Sequence, residues 1–185
     1  MTGEPMLVPL GARVPRTAPS AWVAPGAVLV GDVRLGPQAS VWYACVLRAD
    51  GGSITVGARS NIQDGCVAHA DEHGDVVVGV DVSVGHRAVL HGCVVEDGCL
   101  IGMGATVLTG ARIGAGSLVA AGAVIREGAV IPPGSLVAGV PGRVRRPLTD
   151  EEATRVRTNS RSYLDLLALH RGEHGGEGAG QVGEK

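Results

Sequence analysis

Residues 95–113 read VEDGCLIGMGATVLTGARI, and Val95, Ile101, Val107 and Ile113 fall six positions apart in it. The same period runs outward in both directions. Val23, Leu29, Leu35, Val41, Leu47, Val56, Ile62, Ala68, Val78, Val84 and Leu90 precede this stretch, and Val119, Ile125, Ile131 and Val137 follow it. Of the 18 steps between these 19 positions, 15 are six residues long. Such a period fits neither an amphipathic helix nor a chain of hairpins, but it does fit a solenoid in which each hexapeptide forms one face of a coil. Three hexapeptides make one triangular coil. With neighbouring strands about 4.8 Å apart, about six to seven coils give a parallel β-helix prism roughly 30 Å long.

The composition agrees with a narrow core. The 185 residues are 45% hydrophobic but only 2% aromatic, with no Phe. A formal charge of -2 and a pI near 6.3 provide no basic field for nucleic acid or an anionic membrane. No stretch reaches the roughly 18 uncharged apolar residues of a membrane span, and the start lacks a basic segment followed by an apolar run. The expectation is a soluble, cytoplasmic protein without nucleic-acid or membrane partners. Cys45, Cys66, Cys93 and Cys99 have neither Cys-x-x-Cys nor disulfide-framework spacing and read as buried, reduced thiols.

Four regions are expected. Residues 1–20, with Pro5, Pro9, Pro15 and Pro19, form an extended lead-in over the first coil; 21–148 form the β-helix; 149–171 form a terminal helix; and 172–185 are a Gly- and Glu-rich disordered tail in which His174 is inert. Thr149-Asp150-Glu151-Glu152 is a capping box, and the apolar residues behind it, including Val156, Tyr163, Leu164 and Leu167, should lie on the solenoid or on a neighbouring subunit. Nine of the 19 residues that follow a core aliphatic are Gly or Ala, which suggests tight corner geometry. The period breaks in the middle of the chain. Asp50-Gly51-Gly52-Ser53 and Asp71-Glu72-His73-Gly74-Asp75 read as projecting loops, and the five-residue step from Leu90 to Val95 reads as a tightening after His91.

The repeats at Ala68 and Leu90 fall on one face, one coil apart, so His69 and His91 should point outward and stack about 5 Å apart. His86 follows Val84 near another corner. Two stacked imidazoles suit a tetrahedral divalent metal, and if three prisms pack side by side, His86 of a neighbour can supply a third ligand. Where small residues usually follow the core aliphatic, this region has Arg48, Gln63, His69 and His91 instead.

Val41-Trp42, Leu47-Arg48-Ala49-Asp50, Asn61-Ile62-Gln63-Asp64, His69, Val84-Gly85-His86, Leu90-His91-Gly92-Cys93 and Ile101-Gly102-Met103-Gly104-Ala105 together resemble the gamma-class carbonic anhydrase family over about residues 20–170. The resemblance implies a left-handed parallel β-helix, a homotrimer, and a metal at each interface. The expected metal is Zn2+, with Fe2+ or Co2+ as alternatives. It also implies that His69 and His91 ligate from one subunit and His86 from the next, that Gln63 hydrogen-bonds the metal-bound hydroxide or the substrate, and that the reaction is reversible hydration of CO2 to bicarbonate. Arg48 and Asp50 resemble the family's intersubunit ion pair, Asn61 and Asp64 would orient neighbouring groups, and Tyr163 would reach the site from the helix. One departure stands out. The best-characterised branch carries a proton-transferring Glu soon after its Arg-x-Asp element, whereas Gly51 and Gly52 follow Asp50 here. Glu72 or His73 on the next loop would then exchange protons with buffer.

Two other readings compete. Ala120-Ala121-Gly122-Ala123-Val124 and Ala138-Gly139-Val140-Pro141-Gly142 also resemble CoA-dependent hexapeptide acyltransferases, with Arg143, Arg145 and Arg146 available for phosphates. A catalytically inactive metal-binding homologue would share the same scaffold.

Overall fold

In the computed structural model, which describes residues 4–172, the hexapeptide period becomes a parallel β-solenoid with one terminal helix. Two long strands, Val28–Leu35 and Val46–Val56, each run around a corner and so join two faces of the prism into one sheet. Above the first half of Val46–Val56 stack Val67–Ala70, Val89–His91, Thr106–Val107 and Val124–Ile125. Above its second half stack Val76–Val78, Val94–Val95, Arg112–Ile113 and Val130–Ile131. The third face is a ladder of seven parallel strands from Trp22–Val23 to Ser135–Ala138, closed by the antiparallel Arg143–Pro147. At the other end, Met6–Val8 and Arg16–Thr17 pair with Val28–Leu35, so the proline-rich lead-in covers an otherwise open edge. The expected tail lies outside the described residues from 173 onward. No described helix is long and apolar enough to cross a membrane.

The core follows the period. Eighteen of the 19 repeat aliphatics are buried, and Val23, in the first strand of the third face, is partly so. Side chains alternate along a strand, so the residue two positions earlier also points inward; Val33, Ile54, Val76 and Val82 fill it with branched side chains, and the rest of this column is smaller. Ala27, Ala39, Ala88, Ala105, Ser60 and Ser117 occupy this position, and so do all four cysteines. The thiols are therefore corner fillers, free and buried. Burial pushes Cys93 up to about 12 and Cys99 up to about 11.

One expectation is refined and another is corrected. The turn torsion does not fall on the small residue after the core aliphatic; it falls two residues later, where Gly65 and Gly104 are left-handed and where Arg59 and Arg87 also carry φ near +60° (59° and 58°). The small residue has another cause, close approach of stacked backbones. A Cβ on Gly57 would stand 2.3 Å from the Gly79 carbonyl oxygen, and one on Gly102 would stand 2.4 Å from the Ala121 nitrogen. Nor does Asp50-Gly51-Gly52-Ser53 project. It continues the 11-residue strand Val46–Val56, and a register shift opposite Gly31–Val33 absorbs the extra residues as a bulge. The Asp71–Gly74 turn does project, with side chains 83% exposed at Glu72 and 71% at His73.

The helix Asp150–His170 starts with the capping box expected from sequence: Thr149 Oγ1 accepts from the Glu152 N–H, and Glu152 accepts from the Thr149 N–H. Arg146 forks onto the same carboxylate and, with the cap, holds Glu152 down at about 2.

Replacing Ile101, fully buried in the middle coils, by Ala should cost about 2–5 kcal/mol in a denaturant melt. The four thiols should stay unreactive towards a disulfide reagent at pH 8 in the folded protein and titrate fully in denaturant. Glu152 is depressed on folding, so its contribution is complete above the ordinary carboxylate value of 4.5 and is lost as pH falls towards about 2. Melting temperature should drop over that window, and Glu152→Gln should flatten the drop.

Candidate metal centre

The solenoid register brings His69 and His91 together: they are Cα partners on adjacent strands, with Arg48 one rung below His69. Their rings lie 4.9 Å apart, and His69 Nδ1 stands 3.0 Å from His91 Nε2. The other nitrogen of each ring is occupied. His69 Nε2 lies 2.9 Å from Asp50 Oδ1, and His91 Nδ1 lies 2.9 Å from Thr109 Oγ1. A carboxylate only accepts, so it fixes the His69 proton on Nε2 and leaves Nδ1 with its lone pair facing His91. Only a proton or a cation can hold two imidazole nitrogens at that distance. Asp50 is in turn held by Arg48 within the same chain, and the His69 hydrogen bond together with this guanidinium keeps its carboxyl below the usual range.

His86 belongs to a second cluster. It leaves the third face just after Ser83–Val84, whereas His69 and His91 sit on the face that contains Val67–Ala70 and Val89–His91. Its Nδ1 lies 2.9 Å from Asp64 Oδ2, which commits that nitrogen and leaves Nε2 to the cleft, 3.5 Å from the Tyr163 hydroxyl. The neighbouring rung holds Gln63: its Nε2 donates to Asn61 Oδ1 at 3.1 Å, and Asn61 Nδ2 donates to Ser83 Oγ at 2.9 Å. One amide N–H of Gln63 is thus spent inside the wall, and Oε1 remains as an acceptor. Gln63, His86 and Tyr163 line a cleft of about 290 Å³ whose other wall includes Leu100, Ile101 and Met103. Burial, with the Asp64 charge adding to it, pushes Tyr163 up to about 12, so it is a neutral phenol at physiological pH.

Tyr163 is held over this cleft by an aromatic clamp. The chain has two Trp, two Tyr and no Phe, and all four rings meet in one place. Trp42 contacts Trp22, Tyr43 and Tyr163 at centroid distances of 5.1, 6.3 and 5.2 Å. His170 at the helix end joins them and reaches the Tyr43 hydroxyl at 2.8 Å. A larger cleft of about 500 Å³, beside Arg59, Asp81, Arg157 and Arg161, contains none of the histidines.

Two residues of the site escaped the sequence reading. Thr109 stands one coil above His91. Asp71 lies two residues after His69, and its Oδ2 is 3.7 Å from His91 Nε2. The donor atoms of His69, Asp71 and His91 all lie within 4.8 Å of one another, and among the described residues no other His, Cys, Asp or Glu joins that group. Thr109 follows from counting one 18-residue coil on from His91, and Asp71 from strand alternation. Two imidazoles with hydrogen-bonded outer nitrogens, plus a carboxylate oxygen, fit a divalent cation.

Residues 92–127 match the family model described as bacterial transferase hexapeptide (six repeats). The chain is 54% identical over 144 residues to a Methanocaldococcus jannaschii protein named "Probable carbonic anhydrase", covering 78% of this chain and 91% of that one. It is 49% identical over 168 residues to the mitochondrial gamma carbonic anhydrase 3 of Arabidopsis thaliana, covering 88% of this chain but only 65% of the plant protein. Among solved structures, a hexapeptide transferase family protein from Anaplasma phagocytophilum superposes with a TM-score of 0.84 at 38% identity, covering 90% of this chain and 97% of the other.

Trp42→Ala should unseat the helix without unwinding the solenoid. Amide exchange over residues 156–170 should accelerate at least tenfold, while the central strands keep their protection.

Proposed function

Because the chain belongs to the gamma-class carbonic anhydrase family, we propose that it catalyses CO2 + H2O ⇌ HCO3− + H+ in clefts formed where three copies of the chain meet. The observation that carries this reading is the division of the histidines. His69 and His91 stack on one face, His86 leaves another, and each cluster has hydrogen bonds that hold outer ring nitrogens. A closed threefold assembly sets one face of each copy against a different face of the next, which unites the two clusters three times over. His69 and His91 of one copy and His86 of its neighbour would hold a divalent metal, zinc first and iron(II) or cobalt(II) as alternatives. When bound, that metal lowers the pKa of a water to about 7 and so supplies a nucleophile at neutral pH.

The chain's own residues do the rest. Gln63 Oε1 accepts the remaining proton of the attacking oxygen and aims its lone pair, because Asn61 and Ser83 fix the amide. Leu100 and Met103 give the linear, apolar CO2 a wall it does not have to dehydrate against. Asp64 holds the His86 ring, and the neutral Tyr163 hydroxyl stands beside its free nitrogen as a donor to a developing bicarbonate oxygen. The Arg48–Asp50 pair, formed within one chain, holds the His69 ring. Glu72 and His73, paired at 3.7 Å on the exposed turn, pass the released proton to buffer. Free thiols throughout support a reducing, cytoplasmic setting.

Acyl transfer is supported by the transferase names among the relatives, but two of the three arginines it would use are engaged: Arg146 with Glu152 and Arg145 with the Ala138 carbonyl. Binding of acetyl-CoA in a calorimeter would favour that reading. A metal-loaded assembly with no hydration above buffer would favour the inactive homologue.

His91→Ala should lower kcat/KM for CO2 by on the order of a hundredfold or more in stopped flow. Neither His86→Ala nor His91→Ala trimers should be active alone, yet a co-refolded equal mixture should regain about one quarter of the sites, since two intact half-sites then meet by chance. No recovery in the mixture would sink the shared-site reading.

A further inference from the structure

The turn after His69 is pressed onto the strand below it. A Cβ on Gly51 would come within 2.4 Å of the Glu72 nitrogen, and one on Gly52 within 2.8 Å of the Asp71 carbonyl oxygen. The absence of an acidic side chain at 51 is therefore the steric condition for this turn, whose place Gly51 and Gly52 make. The turn closes on itself through the Asp71–Gly74 bridge, and Asp71 Oδ1 accepts from the His73 N–H at 2.8 Å. With one oxygen committed to the backbone, the other is turned towards His91 Nε2.

We propose that Asp71 is a metal ligand, and that His69, His91 and Asp71 let a single subunit capture a divalent cation before a neighbour supplies His86. The proposal rests on the metal-dependent reading above and extends it. Three donor atoms within 4.8 Å of one another can close on one ion at bond lengths of about 2.0–2.2 Å with side-chain adjustment alone. Two imidazoles and one carboxylate gathered on one side of an ion leave its other positions open. One of these is where His86 of the next copy arrives. Metal uptake and assembly then become linked equilibria: the cation binds the lone subunit loosely, and each step tightens the other.

The test uses the full-length protein stripped of metal and titrated with Co2+, read by its visible absorption and by competition with a chelator, with circular dichroism as the folding control. His86→Ala should still bind one Co2+ per chain with weakened affinity. Asp71→Asn, which keeps volume and sits on an exposed turn, should weaken Co2+ binding about 10–100-fold and alter the spectrum. His86→Ala with Asp71→Asn should abolish measurable binding. An Asp71→Asn protein with unchanged affinity and spectrum overturns the proposal and leaves the carbonic anhydrase reading standing. So does a folded His86→Ala protein that takes up no Co2+; His86→Gln serves the same purpose should the alanine variant melt early. A wild-type protein that binds no divalent cation at all sinks both.

Discussion

Parallel hydrogen bonding between successive coils, at a spacing of about 4.8 Å, is the constraint on which everything else rests. It stacks each residue on a fixed partner one coil away, so the identity of a neighbour is set by counting along the chain. The interior is then filled by residues that tolerate being stacked on one another: a column of mostly Val, Ile and Leu on each face, and beside it a second column that is mainly Ala, Ser or Cys but takes Val33, Ile54, Val76 and Val82 as well. Where backbones on successive coils approach most closely, even a methyl is excluded, which explains Gly57 under Gly79 and Gly102 under Ala121.

The same register builds the site. His69, His91 and Thr109 form a column, and Asn61 with Ser83 forms a second one that immobilises Gln63. Each functional side chain stands on a rigid strand or a tight corner with its orientation held by a neighbour, which is how a scaffold preorganises charge without rearranging it during reaction. The corners after the glycine-rich face are closed by backbone contact, whereas those after His69 and His91 carry large outward side chains.

The helix supplies what a prism cannot. A coil of this width cannot enclose rings, so the few aromatics gather outside, where Trp42 and Trp22 grip the helix and bring Tyr163 to His86. Arg171 extends the grip by donating to the Ser20 and Ala21 carbonyls. The part of the site on the third face is therefore assembled from both ends of the chain.

Sequence alone determined the solenoid, because a strict six-residue period admits few other solutions, and it determined that His69 and His91 share a face one coil apart, because register in such a ladder is arithmetic. It also determined the helix start, since Thr149 and Glu152 satisfy each other's backbone donors locally. The tertiary structure alone decided what Gly51 and Gly52 are for, because their neighbours come from a turn some twenty residues later. It likewise decided the place of the left-handed corner residues and the fold of the Asp71–Gly74 turn, which leaves one Asp71 oxygen facing His91. These depend on how far two backbones stand apart in space and on which way a loop folds back, quantities that a repeat period does not encode.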